Sequence, residues 1–340
     1  MSNSVNMIVS PAPHIREKIT TNRIMLDVII ALSPSFVIAV WVFGLRAALV
    51  TGVCVAACVF FEWAYEKFLK RKNTIGDLSA VLTGILLAFN LPVTIPLWQA
   101  VFGCFIAIIL VKQLFGGLGK NFANPAITAR VIMLLAFPAA MTTWVLPFWG
   151  AAADVITFPT PLDAVTAATT LDGLTGATPL VALLQMFRGE AFEALPSMWN
   201  LFLGVHGGSL GETSELALLI GGLYLIIRRV ITWHVPVTFI ATVFILTTVI
   251  GGFNFEFGLL HMLTGGLFLG AIFMATDYVT SPQTNLGRAI FGIGCGLITV
   301  LIRLYGNYPE GVSFAILLMN MIVPFINKIS CKKALGELKS

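Results

Sequence analysis

Ten apolar stretches, each near the length that crosses a lipid bilayer, occupy most of this chain. A spanning helix needs about 20 mostly apolar residues. The stretches are Ile24–Phe43, Ala47–Tyr65, Leu78–Ile95, Trp98–Phe115, Pro125–Trp144, Leu216–Ile227, Pro236–Phe253, Leu259–Thr276, Ala289–Leu304 and Val312–Ile326. Asn90-Leu91-Pro92 interrupts the third, and the sixth is short. Only 11% of residues are charged, against about 25% in a soluble domain. Mean hydropathy is +0.93. Backbone polar groups in lipid must be satisfied within helices or closed barrels. The expected fold is an all-α membrane protein of about ten transmembrane helices with a long outer-side loop.

The first 23 residues are polar and include His14, Arg16, Lys18 and Arg23. The apolar run that follows lacks a small-residue cleavage site, so it reads as an uncleaved first span. Of the twenty lysines and arginines, all but Arg46, Arg188 and Arg303 fall on one side of a ten-span arrangement. That set includes Lys112 and Arg130. The bias places both termini in the cytoplasm. Five units follow: an N-terminal segment (1–23), a first membrane half of five helices (24–144), a periplasmic loop (145–213), a second five-helix half (214–327) and a cytoplasmic tail (328–340). The cysteines form no CxxC or spaced metal set and read as small packing residues.

Val81-Leu82-Thr83-Gly84 is echoed by Met262-Leu263-Thr264-Gly265, each in the third stretch of its half. Five is odd, so two such halves are inverted relative to each other, a plan common among transporters. The match is short, and coincidence stands beside repetition.

Several motifs carry chemistry. Gly116-Gly117-Leu118-Gly119-Lys120 fails as a phosphate-binding P-loop, because Asn121 stands where Ser or Thr is required and Leu114 where Gly is. Asn121 and Asn124 follow this turn. Asn124 reads equally as a helix cap before Pro125 and as part of a ligand-binding turn. Intramembrane acids are functional candidates by default. Asp277, at the end of the eighth stretch with no adjacent base, is the candidate for ion coupling. Glu62 reads as an interface pair with Lys67, and Asp27 is a weaker candidate. Among four histidines only His261 lies in a span, which argues against a bis-histidine haem and leaves no metal cluster. On the outer side, Asp172-Gly173-Leu174-Thr175-Gly176-Ala177-Thr178 is a small-residue turn with an accessible hydroxyl on Thr178, and an ordinary loop has the same composition.

That last run matches the D-x-x-[ST]-G-A-T pattern recognised by bacterial flavin transferases, which esterify the phosphate of FMN onto the last threonine. Leu91 to Gln99, Gly116 to Arg130 and Phe273 to Asp277 also resemble blocks of one family, the NqrB/RnfD membrane subunits of ion-pumping oxidoreductases. Tyr278 departs from that pattern, where Pro is expected. The short N-terminus is nearer the RnfD branch. The resemblance implies a flavin-carrying subunit of a redox-driven ion pump, with electrons passing between ferredoxin and NAD and with sodium or proton movement coupled to them. It implies covalent FMN on Thr178, with Asp172, Thr175, Gly176 and Ala177 as the recognition sequence. It also implies a second, non-covalent flavin (riboflavin), to which Asn121 and Asn124 are assigned. The implied partners are a flavin transferase and the Rnf subunits RnfA, RnfB, RnfC, RnfE and RnfG, in a bacterial inner membrane. Ferredoxin and NAD chemistry is expected on those partners, because the chain carries no Rossmann fingerprint and no iron–sulfur cysteine set. A solute channel or secondary transporter without a redox group is the competing reading.

Overall fold

A computed structural model describes residues 20–71, 74–144, 178–189, 195–204, 206–212, 214–306 and 310–330. These are helical, with no strand among them. The principal helices are α1 (Thr21–Phe43), α2 (Leu45–Phe68), α3 (Ser79–Phe89), α4 (Leu97–Gln113) and α5 (Pro125–Ala136). After them come α6 (Pro179–Arg188), α7 (Met198–Leu203), α8 (Glu215–Ile227) and α9 (His234–Ile250). The last four are α10 (Phe255–Met262), α11 (Leu267–Met274), α12 (Asn285–Tyr305) and α13 (Val312–Ser330).

Four of these, α1, α2, α12 and α13, are long and apolar enough to cross a membrane. The bent pair α10–α11, with 64° between its halves, makes a fifth if taken as one span. The helices α3, α4, α5, α6, α8 and α9 are apolar but only 10–17 residues long. The expectation of ten full-length spans is therefore met in part. Leu78–Ile95 gives a short α3 that stops at Asn90, and Leu259–Thr276 is broken at Leu263–Gly266.

The reasons are local. Thr20 caps α1, and Gly44, with φ of 75°, turns the chain directly into α2. Left-handed backbone of this kind suits a residue without Cβ. The carbonyls freed at the end of α3 are taken up by Leu210 N–H on Leu91 (3.1 Å) and Gly211 N–H on Phe89 (2.7 Å). Arg46 donates to the Val93 carbonyl (2.8 Å) in the same break. At the second break Arg303 donates to the carbonyls of His261 (2.6 Å) and Thr264 (2.9 Å). Unmet backbone groups at such depth cost several kcal/mol each by general estimate, roughly 2–7, so these donors make the breaks tolerable.

The echoed sequences adopt different shapes. Leu82-Thr83-Gly84 lies inside α3, whereas Leu263-Thr264-Gly265 forms the bend, where Gly265 has φ of 74°. Both threonines donate to the carbonyl four residues back, Ser79 and Leu260.

α2 packs on α3 and α4, and α9 packs on α10 and α12. α1 meets α8, and α5 meets α13. Between them lies a continuous apolar core that includes the free, buried Cys54, Cys58, Cys104 and Cys295. Cys331 is outside the described residues.

Several charges change role. Lys112 and Arg130 are buried, not in loops, so they are not topological markers. Glu62 is fully buried and pairs with Lys112 at 2.7 Å, correcting the expected pair with Lys67. Lys67 lies instead over the Trp63 ring. Asp27 joins α1 to α8 through Arg228 (3.1 Å) and the Tyr224 hydroxyl (3.0 Å).

Candidate functional site

Two cavities lie at opposite ends of the bundle. One end, here the terminal end, holds the start of α1 and the end of α13. The far end holds the α1–α2 turn and α6.

The larger cavity opens at the terminal end among α1, α3, the last turns of α4, the start of α5 and the turn after α11. Its empty space is about 780 Å³, a figure that includes open solvent. Its walls are mostly apolar, including Met25, Leu82, Ile231 and Phe273. Its polar groups include Asn121, Asn124, Asp277 and Lys112. The structure thus brings together the three terminal-end residues singled out in the sequence and adds Lys112.

Each polar group is placed by local chemistry. Asn124 caps α5: its Oδ1 accepts from Ala126 N–H (3.0 Å) and Ile127 N–H (3.4 Å), and Pro125 follows at the first helical position. Its amide N–H donates to the Met274 carbonyl at 3.3 Å, tying α5 to the end of α11. Both open readings of Asn124 hold together, a cap that also lines a cavity. Asn121 differs, because its buried Oδ1 has no hydrogen-bond partner among the described residues. Asp277 accepts from the Thr280 hydroxyl (3.0 Å) and Val279 N–H (3.4 Å) in a tight turn. Burial raises its pKa, and those two hydrogen bonds oppose the rise. Tyr278 is exposed, with its hydroxyl on the Val230 carbonyl.

Lys112 sits in the π-helical last turns of α4. Its ammonium donates to Glu62 (2.7 Å) and to the Ser79 hydroxyl (2.6 Å). The same Glu62 oxygen accepts from Gln113 at 2.9 Å. An ammonium has three protons, so one remains for a ligand. The signal in the sequence that points to this residue is a lysine inside an apolar stretch, which by itself marks a functional candidate.

The smaller cavity lies at the far end, bounded by Trp144, Thr178, His206, Gly207, Glu212, Gly265 and Glu310. Thr178 is the N-cap of α6, where its hydroxyl oxygen accepts from Val181 N–H at 3.4 Å and Pro179 occupies the first helical position. It is only 8% exposed. Asp172, Thr175, Gly176 and Ala177 lie outside the described residues. Between the cavities Arg130 pairs with Glu310 and donates to Asn90 (3.2 Å) and Ser313 (2.6 Å). Among the described residues, no group of three or more His, Cys, Asp or Glu side chains is arranged to hold a metal ion.

Residues 8–336 match the model of the NQR2, RnfD, RnfE family. The chain is 45% identical over 340 residues to the subunit lettered D in the Na(+)-translocating ferredoxin:NAD(+) oxidoreductase complex of Acetobacterium woodii, covering 99% of this chain and 98% of that protein. It is 42% identical over 327 residues to the like-lettered subunit of the proton-translocating ferredoxin:NAD(+) oxidoreductase complex of Clostridium ljungdahlii, covering 95% and 94%. A similar 42% over 341 residues relates it to that subunit of the ion-translocating oxidoreductase complex of Stutzerimonas stutzeri, covering 94% and 93%. With nearly its whole length matched, this chain belongs to the NQR2, RnfD, RnfE family.

Proposed function

We propose that this chain is the flavin-carrying membrane subunit of an Rnf-type redox-driven ion pump, working between partner subunits that handle ferredoxin and NAD. The near full-length relatives, named as subunits of such complexes, support this reading. The proposed architecture is ten spans in two inverted halves, with the terminal end facing the cytoplasm of a bacterial inner membrane. The matching contacts support it, since α2 holds α3 and α4 as α9 holds α10 and α12.

The observation that carries the flavin reading is the position of Thr178 at the N-cap of α6. The first N–H groups of a helix lack partners, and the helix dipole favours negative charge there. A phosphate esterified to this hydroxyl would meet those N–H groups. Thr178 is buried as it stands, so esterification belongs to a state in which its hydroxyl is exposed. The second, uncharged flavin is assigned to the larger cavity. Its walls are mostly apolar, and Asn121 Oδ1 and the third Lys112 proton are an acceptor and a donor left over among the described residues. The flavins supply the redox chemistry, and the chain positions them and excludes water.

The test is a denaturing gel viewed under ultraviolet light, with protein made in cells that contain a flavin transferase. Wild type and Thr175→Ser are expected to fluoresce and Thr178→Ala to be dark. Thr178→Val keeps the β-branched shape without the hydroxyl, and fluorescence in that band would place the bond elsewhere. A solute channel or transporter without a redox group would give no fluorescent band at all.

A further inference from the structure

The smaller cavity holds an unmet need for a donor. Glu212 is 4% exposed, and its Oε1 has no hydrogen-bond partner among the described residues. Its Oε2 accepts from Ser209 N–H at 3.1 Å. His206 is as deeply buried, and its Nδ1 stands 3.1 Å from the Gly207 carbonyl. A carbonyl only accepts, so Nδ1 carries the hydrogen and Nε2 is left as an acceptor. Among the described residues that Nε2 also has no partner. Burial lowers the basicity of His206, which keeps the ring neutral, although the Gly207 carbonyl opposes this.

The two side chains wall the same space. A methyl group placed on Gly208 would meet Glu212 Oε2 at 2.9 Å and His206 Cε1 at 3.8 Å. One placed on Gly266 would stand 3.2 Å from Glu212 Oε1 and 3.4 Å from Glu310 Oε1. Two carboxylates thus converge on one glycine, Gly266. A buried carboxylate left unpaired is costly, and taking up a proton removes the cost.

The surrounding charges do not remove it. Arg130, from α5, pairs with Glu310. Arg303, from α12, is directed to the carbonyls of His261 and Thr264 and makes no ion pair with Glu212. Glu215, at the start of α8, adds another buried carboxyl, whose Oε2 also lacks a partner. His261, from α10, has both ring nitrogens unpartnered. Of these three carboxyls, Glu310 alone has an ion pair among the described residues.

We propose that Glu212 holds an exchangeable proton at the wall of the cavity that Thr178 borders. The proton resides on Glu212 Oε1 as a carboxyl O–H on the side it shares with Glu310 Oε1, and its departure to water leaves the carboxylate. This is an ion-binding site at the far end of the bundle, opposite Asp277. It does not depend on flavin attachment.

The test is infrared spectroscopy of the full chain in lipid nanodiscs. Wild type and Glu215→Gln are expected to show the C=O stretch of a protonated carboxyl at neutral pH. That band should shift on exchange into deuterium oxide and fade as pH rises. In Glu212→Gln the Glu212 contribution should be missing, as read from the difference spectrum against wild type, and in His206→Gln it should remain. Undiminished intensity of this band in Glu212→Gln, or its absence from wild type, overturns the proposal. If Glu212→Gln does not fold, Glu212→Asp takes its place, and an unmoved band in that variant overturns the proposal equally. The spectra are taken in choline chloride and again in sodium chloride. The proposal expects them to agree, and a band that sodium abolishes would make this a sodium site instead.

Discussion

The Lys112 ammonium and the Glu62 carboxylate lie 2.7 Å apart, both buried inside the membrane bundle and fifty residues apart in the chain. Removing one partner of such a pair leaves the other charged and unmet, at a general cost of roughly 3–5 kcal/mol, whereas replacing both with apolar groups is often neutral. Glu62→Leu and Lys112→Met are each expected to lower the melting temperature in detergent strongly. The double variant should recover most of the loss. A double variant as unstable as the sum of the singles would mean that the two residues act separately.

Gly211 is expected to be intolerant of any side chain. A methyl group there would meet the Phe89 Cβ at 2.7 Å and the Phe89 carbonyl oxygen at 2.9 Å. Gly211→Ala must push the 206–212 segment off the broken end of α3, at a cost of about 1–3 kcal/mol. Thermal unfolding and protease sensitivity near Gly211 measure it, and a wild-type profile would mean that this segment has room to move.

Asp277→Asn addresses pH. Burial raises the Asp277 pKa in the folded protein. Its protonated form therefore adds stability that is complete at low pH and is lost as pH rises from the usual carboxylate range through the raised value. Wild type should lose melting temperature relative to Asp277→Asn across that window. In the assembled complex Asp277→Ala should retain fluorescent flavin while ion-coupled turnover falls. Undiminished coupling would leave Asp277 as the cap of its turn.

Topology can be tested with a reporter active only outside the cytoplasm. Fused after Lys333 it should be silent, and inserted near Glu190 it should be active. The reverse at either site sinks the ten-span orientation.

Much of this architecture is legible in the sequence, because hydropathy and capping are local. Each of the ten apolar stretches contains helix, and Asn124-Pro125 starts α5 as its chemistry demands. Asn121, Asn124 and Asp277 share one cavity, as their common end of the bundle suggests. What the sequence hides is the partner of each buried charge. Nothing near Glu62 points to Lys112, and Lys67 is the nearer candidate. Arg130 reads as a marker of membrane orientation because its partner Glu310 is supplied from far along the chain. The bend at Gly265 is hidden for a similar reason, since Arg303 makes it tolerable from another helix.

The π-helical end of α4 has a consequence for chain length. On a regular α-helix neighbouring side chains point about 100° apart and do not face one target. Lys112 and Gln113 are neighbours, yet both bond the same oxygen of Glu62. The wider turn, which takes up an extra residue, brings them to one side. Excising a single residue such as Leu110 would leave an apolar helix of nearly unchanged composition, but it would restore the tighter winding and swing the pair apart. This stretch can accept many apolar substitutions and no deletion, so what it must keep is a residue count.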